Sequence, residues 1–165
     1  MDYVRLLQAN FPRYFKNKKV LEIGSLNING TIRIYFHDCE YIGVDLGPGR
    51  DVEVIGSGHE LDYPDNSFDV IASCECFEHN KYWLETFNNM MRMAKEFIFF
   101  SCATTGRPEH GTTRTTPRDA PFTNDYYRNL TETDFTDNVD MSVFSEYEFT
   151  TNDQSHDLYF YGVLK

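Results

Sequence analysis

Short apolar runs separated by polar turns set the rhythm of the first hundred residues. Lys19 to Ile23, Tyr41 to Asp45, Val52 to Ile55, Asp69 to Cys74 and Phe97 to Ser101 are mostly continuous apolar stretches, not strict alternations. That pattern belongs to strands buried on both faces of a parallel sheet. Between them the spacing turns helical. Val4, Leu7, Phe11 and Phe15 recur at helix-like intervals in residues 1–18, which predicts a helix capping the sheet. Ile28, Ile32, Tyr35 and Phe36 give a second apolar helical face. Trp83, Phe87, Met90, Met91 and Ala94 give a third, with Asn80 as its N-cap. The last third differs: Met141 to Phe149 and Leu158 to Leu164 are longer β runs joined by the polar stretch Thr150 to Asp157, which predicts an antiparallel hairpin.

The expected fold is therefore α/β, a Rossmann-like three-layer sandwich whose mostly parallel seven-stranded sheet ends in a C-terminal antiparallel hairpin. At 165 residues, 41% hydrophobic and 16% aromatic, the chain suits one domain spanning 1–165. Its 15 basic residues against 26 acidic ones leave a formal charge of -11, which opposes a phosphate backbone and makes nucleic acid an unexpected partner. The N-terminus has no apolar signal region, and no run approaches the roughly 18 apolar residues of a membrane span. A soluble, cytoplasmic protein with no membrane partner is expected. Cys39, Cys74, Cys76 and Cys102 are too sparse for a disulfide scaffold, and the Cys74-x-Cys76 pair has no second pair at zinc spacing, so no metal site is expected.

Two turns hold the candidate chemistry. VLEIGSLNING, residues 20–30, carries Glu22 and Gly24; YIGVDLGPG, residues 41–49, carries Asp45. An acid and a glycine at the ends of neighbouring parallel strands are how such sheets present a nucleoside-containing ligand. A dinucleotide asks for Gly-x-Gly-x-x-Gly so that backbone amides reach its pyrophosphate. Here Gly24 is followed by Ser25, Leu26, Asn27, Ile28 and Asn29 before Gly30. Asp45 follows Gly24 by 21 positions, the spacing of a carboxylate that accepts from ribose hydroxyls. The site thus fits a ribose without a diphosphate, and Glu22, Asp45, Glu60, Glu75 and Glu78, at or near strand ends, favour a positive centre. S-adenosylmethionine, a sulfonium carrying a ribose, meets both demands.

With these residues in view, the chain resembles class I S-adenosylmethionine-dependent methyltransferases over almost its whole length. VLEIGS looks like the first motif, YIGVD like the second, and GHELDYPDNSFDVIASCECFEH, residues 58–79, follows the acidic turn, strand and Glu-His of the small type 11 domains. It is most similar to a subset with Glu-Ile-Gly-Ser and Asn-Gly turns that often accompanies glycan biosynthesis. The resemblance implies that Gly24 and Ser25 let the methionine end lie on the backbone, with Glu22 orienting the turn and the amino group. It implies ribose contact by Asp45, adenine contact by Leu46, Ser57, Gly58 and His59, and a border to the transferred methyl at Cys74 and Glu75. Ser57 stands where many members carry an adenine-binding aspartate.

His79, just past a strand end, is a candidate acid or base, set against the alternative that Glu78-His79 begins the next helix and satisfies its free amides. His110 is the other catalytic candidate; His37, His59 and His156 are scattered and form no metal set. Residues 102–123 form a long loop, a length that is usually functional or disordered. From Ala103 to Arg118 it holds Arg107, Arg114 and Arg118 against the single Glu109. Two readings follow: a solvated lid whose arginines pair with surplus acids, or a substrate-side loop that, with Tyr126, Tyr127 and Arg128, closes over an anionic acceptor. The expected function is methyl transfer to a small-molecule or glycan acceptor. Its rivals are a cofactor-binding module without turnover, a protein or RNA methyltransferase, and a nicotinamide oxidoreductase.

Overall fold

The computed structural model describes residues 2–165 and sets seven strands in one sheet. They are β1 (Lys19–Ile23), β2 (Glu40–Asp45), β3 (Val54–Ile55), β4 (Phe68–Cys74), β5 (Ala94–Ala103), β6 (Phe144–Asn152) and β7 (Asp157–Leu164), in the order β3-β2-β1-β4-β5-β7-β6. The first five are parallel to their neighbours; β7 runs antiparallel to β5, and β6 and β7 form the expected hairpin. The chain steps outward from β1 to β2 and β3, then crosses to β4 on the other side. The C-terminal ends of β1 and β4 therefore flank the crevice where open α/β sheets bind ligands.

Alternation along the strands builds two cores. Val20, Val70, Ala72, Phe97 and Phe99 pack with Val4, Leu7, Tyr14, Phe15, Ile32 and Phe36 on one face. Leu21, Ile23, Ile71, Ile98 and Phe100 pack with Phe77, Phe87, Met90, Phe135 and Phe160 on the other. Each fully buried ring contributes about 1.5–3 kcal/mol of transfer free energy, so both sheet faces are covered as the three-layer expectation requires. Helix α1 (Asp2–Asn10) lies over the first face; α2 (Trp83–Met93) and the short α3 (Glu132–Thr136) lie over the second. Among the described residues no helix is long and apolar enough to cross a membrane.

Local chemistry shortens several expected elements. The leading segment is not one helix over 1–18: α1 stops at Asn10, and Pro12 opens a separate 3-10 turn, Pro12–Tyr14. A residue before proline is pushed out of the helical region, and Phe11 sits there at φ -128. The apolar face from Ile28 to Phe36 yields only a 3-10 turn, Ile32–Tyr35, because Asn27 takes the Gly30 amide into a turn and β2 begins at Glu40. Asn80 is not the N-cap of α2; its side chain instead accepts from the Tyr82 amide and donates to Thr86. Ala94 opens β5 directly, with no loop after α2. Residues Met141–Val143 form a 3-10 turn held by Asp140, so β6 starts only at Phe144. Helix α3 escapes a search for apolar periodicity, being five residues long; the Asp134 carboxylate accepts from the Thr131 amide at 2.8 Å to start it.

Candidate active site

The turn after β1 is shaped by contact with the segment after β4. Gly24 has φ +82, and a Cβ there would stand 2.6 Å from the Cys76 Cβ. Only glycine fits such an approach in that conformation. The Gly24 and Ser25 amides both donate to the Val44 carbonyl, at 2.8 and 3.1 Å, which fixes the turn against β2. At the end of β2 the Asp45 carboxylate accepts from the Leu26 amide at 3.0 Å and from the Leu46 amide at 2.8 Å. Each oxygen keeps a lone pair for a further donor. Burial raises the Asp45 pKa despite these amides. Glu22 is buried one turn of the pleat below, where it accepts from the Tyr41 hydroxyl at 2.7 Å; burial pushes it up to about 7.

These strand ends line two adjoining hollows. One, of about 650 Å³, is bounded by Gly24, Asp45, Leu46, Ser57, Gly58 and Cys76; the other by Glu22, Ser25, Cys74, Ser101, Asp157 and Tyr159. Gly24, Leu26, Glu75 and Asp119 border both, so the two hollows adjoin in one cleft region at the strand ends. Its first half suits a nucleoside and its second a cationic amino-acid tail. The Ser25 hydroxyl is buried without a hydrogen-bond partner and is turned toward Gly43, where a Cβ would stand 2.5 Å from it. Glu75 occupies φ +53, a conformation sparse for a side-chain residue, and is held by its amide to the Ser101 carbonyl and by the Ser101 hydroxyl at 2.6 Å.

Of the ten sequence-derived cofactor positions, nine line this cleft. His59 does not. Its ring accepts or donates at 2.7 Å with the Ser57 hydroxyl and stacks on Tyr82 with centroids 4.0 Å apart, in a neighbouring hollow. Ser57 is therefore shared between His59 and the cleft. The residues that sequence reasoning missed are Cys76, Asp119 and Asp157. Asp119 descends from the long loop, and no local pattern marks it among that loop's polar residues.

His79, the first catalytic candidate, lines the cleft. Burial, then the neighbouring His110, lowers its pKa to about 4. The capping alternative fails: Phe77–His79 is its own 3-10 turn, and α2 begins at Trp83. Glu78 is fully buried, with no hydrogen bond of standard geometry to either carboxylate oxygen; the Glu78 and Ala103 amides lie near without making one. Burial, then the Glu75 charge, raises the Glu78 pKa well above the carboxylate range. His110 stands over this pair, its ring 4.9 Å from that of His79 and nearly perpendicular. Gly111, at φ +68, lets the loop come this close, since a Cβ there would meet the His79 ring at 2.7 Å. No metal set was expected from the spacing, yet the fold gathers Glu78, His79 and His110.

The three arginines do not converge. Arg107 donates to Asp157 at 2.8 Å and to the Ser155 carbonyl at 2.6 Å, tying the loop to β7. Arg114 pairs with Glu109 and Asp125 at the surface. Arg118 is exposed. The solvated-lid reading describes the first two, and the loop instead offers Asp119, Ala120, Pro121 and Thr123 to the cleft. Glu22, Asp45, Glu75, Asp119 and Asp157 all line the cleft, with Arg107 paired to Asp157.

Residues 21–97 match the family described as a methyltransferase domain. No curated protein sequence matches the chain. Solved structures share its fold at low identity. The 1,6-didemethyltoxoflavin N1-methyltransferase of Burkholderia thailandensis, solved with its acceptor and S-adenosylhomocysteine, is 15% identical with a TM-score of 0.64, over 99% of this chain and 77% of that one. The YcgJ protein of Bacillus subtilis is 14% identical with a TM-score of 0.66, over 100% and 99% of the two chains. A phosphoethanolamine N-methyltransferase 2 of Haemonchus contortus, solved with phosphomonomethylethanolamine and S-adenosylhomocysteine, is 13% identical with a TM-score of 0.68; the match takes in 99% of this chain and 52% of that one.

Proposed function

Because this chain carries a methyltransferase domain of the S-adenosylmethionine-dependent class I family, we propose that it methylates a small-molecule or glycan acceptor bearing a hydroxyl, amine or carboxylate. It is a methyltransferase, and S-adenosylmethionine is its cofactor. In this reading residues 1–165 form one domain, with residues 1–18 over one sheet face and the loop after β5 on the acceptor side. The bound cofactor supplies a methyl group already activated on sulfur. What the chain must add is orientation and the exclusion of water.

Asp45 takes the ribose hydroxyls on the lone pairs its two amide bonds leave free. Gly24 and Ser25 receive the amino-acid end, and Glu22 and Glu75 face its positive charge. Leu46, Ser57 and Gly58 line the adenine half. Asp119 to Thr123 roof the cleft from the loop. The acceptor enters between this roof and the end of β4. Support for a small acceptor comes from two structural neighbours that hold didemethyltoxoflavin and phosphomonomethylethanolamine.

The observation that carries the reading is the pair of adjoining hollows that set Asp45 on one side and Ser25 on the other side of Gly24 at the strand ends. Calorimetry with S-adenosylhomocysteine and with NAD tests it. The native chain binds the first and not the second, and Asp45→Ala weakens the first by about 1.5–3 kcal/mol, the range for hydrogen bonds to a charged group. A native chain that ignores S-adenosylhomocysteine would sink the assignment.

A further inference from the structure

We propose that Glu78, His79 and His110 bind a divalent transition-metal ion beside the acceptor end of the cleft. One ligand atom from each of the three lies within 4.8 Å of the others, and His110 Nε2 stands 3.9 Å from Glu78 Oε1. Ligand bonds of about 2.0–2.2 Å bring neighbouring ligand atoms to roughly 3–4 Å, so small side-chain rotations complete the set. The contacts of the His110 ring suit ligation through Nε2. Its Nδ1 lies 3.1 Å from the Pro108 carbonyl, which can only accept, so Nδ1 donates there and Nε2, 3.9 Å from Glu78 Oε1, is the nitrogen placed to ligate. A backbone carbonyl in this role is the usual outer partner of a metal-bound imidazole.

The buried groups point the same way. Glu78 is 0% exposed with both oxygens unpartnered, and His79 is 7% exposed with Nδ1 unpartnered. Orphaned polar atoms at this depth are rare because each forfeits its hydration without recompense. One cation would satisfy the carboxylate and the imidazole together. The surroundings are built to hold them: Tyr127 donates to the same Pro108 carbonyl and sets its ring edge-on to both histidines, at 5.5 and 5.0 Å. Gly111 permits the close passage of the loop over His79.

Two imidazoles and one carboxylate select manganese, iron, cobalt or zinc over calcium, which seeks an all-oxygen shell. Three protein ligands leave coordination positions open. The set lies beside the cleft, since His79 lines it together with Glu75 and the His110 side chain is 24% exposed. Resting on the methyltransferase reading, the ion would hold an acceptor through its oxygen donors, a role the dispersed arginines do not fill.

The test is titration of the chelator-stripped full chain with Co2+ alone, followed by its visible absorption and by calorimetry, with Ca2+ as comparison. One equivalent of Co2+ binds the native chain, without the charge-transfer band of a thiolate ligand, and Ca2+ does not compete. His110→Ala, at the half-exposed rim, abolishes Co2+ binding and leaves S-adenosylhomocysteine binding intact, which also reports that the variant is folded. Gly111→Ala, which forces the loop off His79, weakens Co2+ by about tenfold or more, as displaced outer-shell geometry does. Absence of Co2+ binding in a chain that binds S-adenosylhomocysteine overturns the metal site and spares the proposed function. Co2+ bound equally by His110→Ala, or through a cysteine, also overturns it. Co2+ bound as described in a chain that ignores S-adenosylhomocysteine upholds the metal site and removes the methyltransferase reading.

Discussion

The two ends of the cleft are built on opposite terms. At the β1–β2 end the polar groups are answered by nearby backbone: Asp45 by the Leu26 and Leu46 amides, Gly24 and Ser25 by the Val44 carbonyl. At the β4 end Glu78 and His79 lie buried and unanswered, and what stands over them comes from a loop more than thirty residues later. The first end is a finished receptor whose geometry follows from two turns. The second is a set of donors held in place by the fold and completed only by what binds there. On the proposed assignment, hydrogen-bonded strand ends seat the cofactor and a loop meets the second substrate, the division of labour expected when a scaffold holds one ligand in common and varies the other.

Disruption of the finished end has the largest expected effect. Gly24→Ala demands φ +82 of an alanine and a Cβ 2.6 Å from Cys76, so S-adenosylhomocysteine affinity falls by about a hundredfold and stability by about 1–3 kcal/mol, read by calorimetry and thermal melting. Unchanged affinity would show that the turn is not the cofactor seat. Glu22→Gln comes next and acts through pH. A carboxyl raised from 4.5 to about 7 holds its proton more tightly in the folded chain. Its stabilising contribution is complete below about 4.5 and is lost as pH climbs through about 7. The variant keeps an acceptor for Tyr41 and drops the charge. Its unfolding free energy therefore declines less than that of the native chain between about pH 5 and pH 8, by an amount on the order of 3 kcal/mol at 1.36 kcal/mol per pH unit, and its Tm falls correspondingly less. Parallel Tm curves would mean that Glu22 is ionised throughout.

The smallest effects belong to the arginines and sharpen the comparison from the other side. Arg107→Gln cuts the link from the loop to Asp157 and lowers Tm by about 2–4 °C, the shift for a loss near 1 kcal/mol in a chain of this size. Arg114→Gln and Arg118→Gln leave both Tm and acceptor KM where they were. A raised KM in either would return the loop to the anion-binding role its composition first implied.

What could be read in the sequence follows the same divide. The strand order, the hairpin and the cofactor turn depend on apolar runs and on residues a few positions apart, so Gly24 and Asp45 announce themselves. The helix boundaries were less legible where one residue overrides periodicity, as Pro12 does after α1 and Asn27 does before Gly30. The acceptor side was hidden. Arginine content implied a positive loop, but Arg107 and Arg114 spend their charge on Asp157, Glu109 and Asp125, and Asp119 reaches the cleft instead. Glu78-His79 was visible as a motif; that His110 would join it depends on Gly111, whose meaning appears only when the loop is folded back.

The acid-lined cleft has a further result for turnover. Methyl transfer discharges the sulfonium, so the ligand that leaves has lost the positive centre that Glu22, Asp45, Glu75, Asp119 and Asp157 attract. On the proposed assignment, the attraction these acids offer the sulfonium is absent for the neutral thioether that remains after transfer.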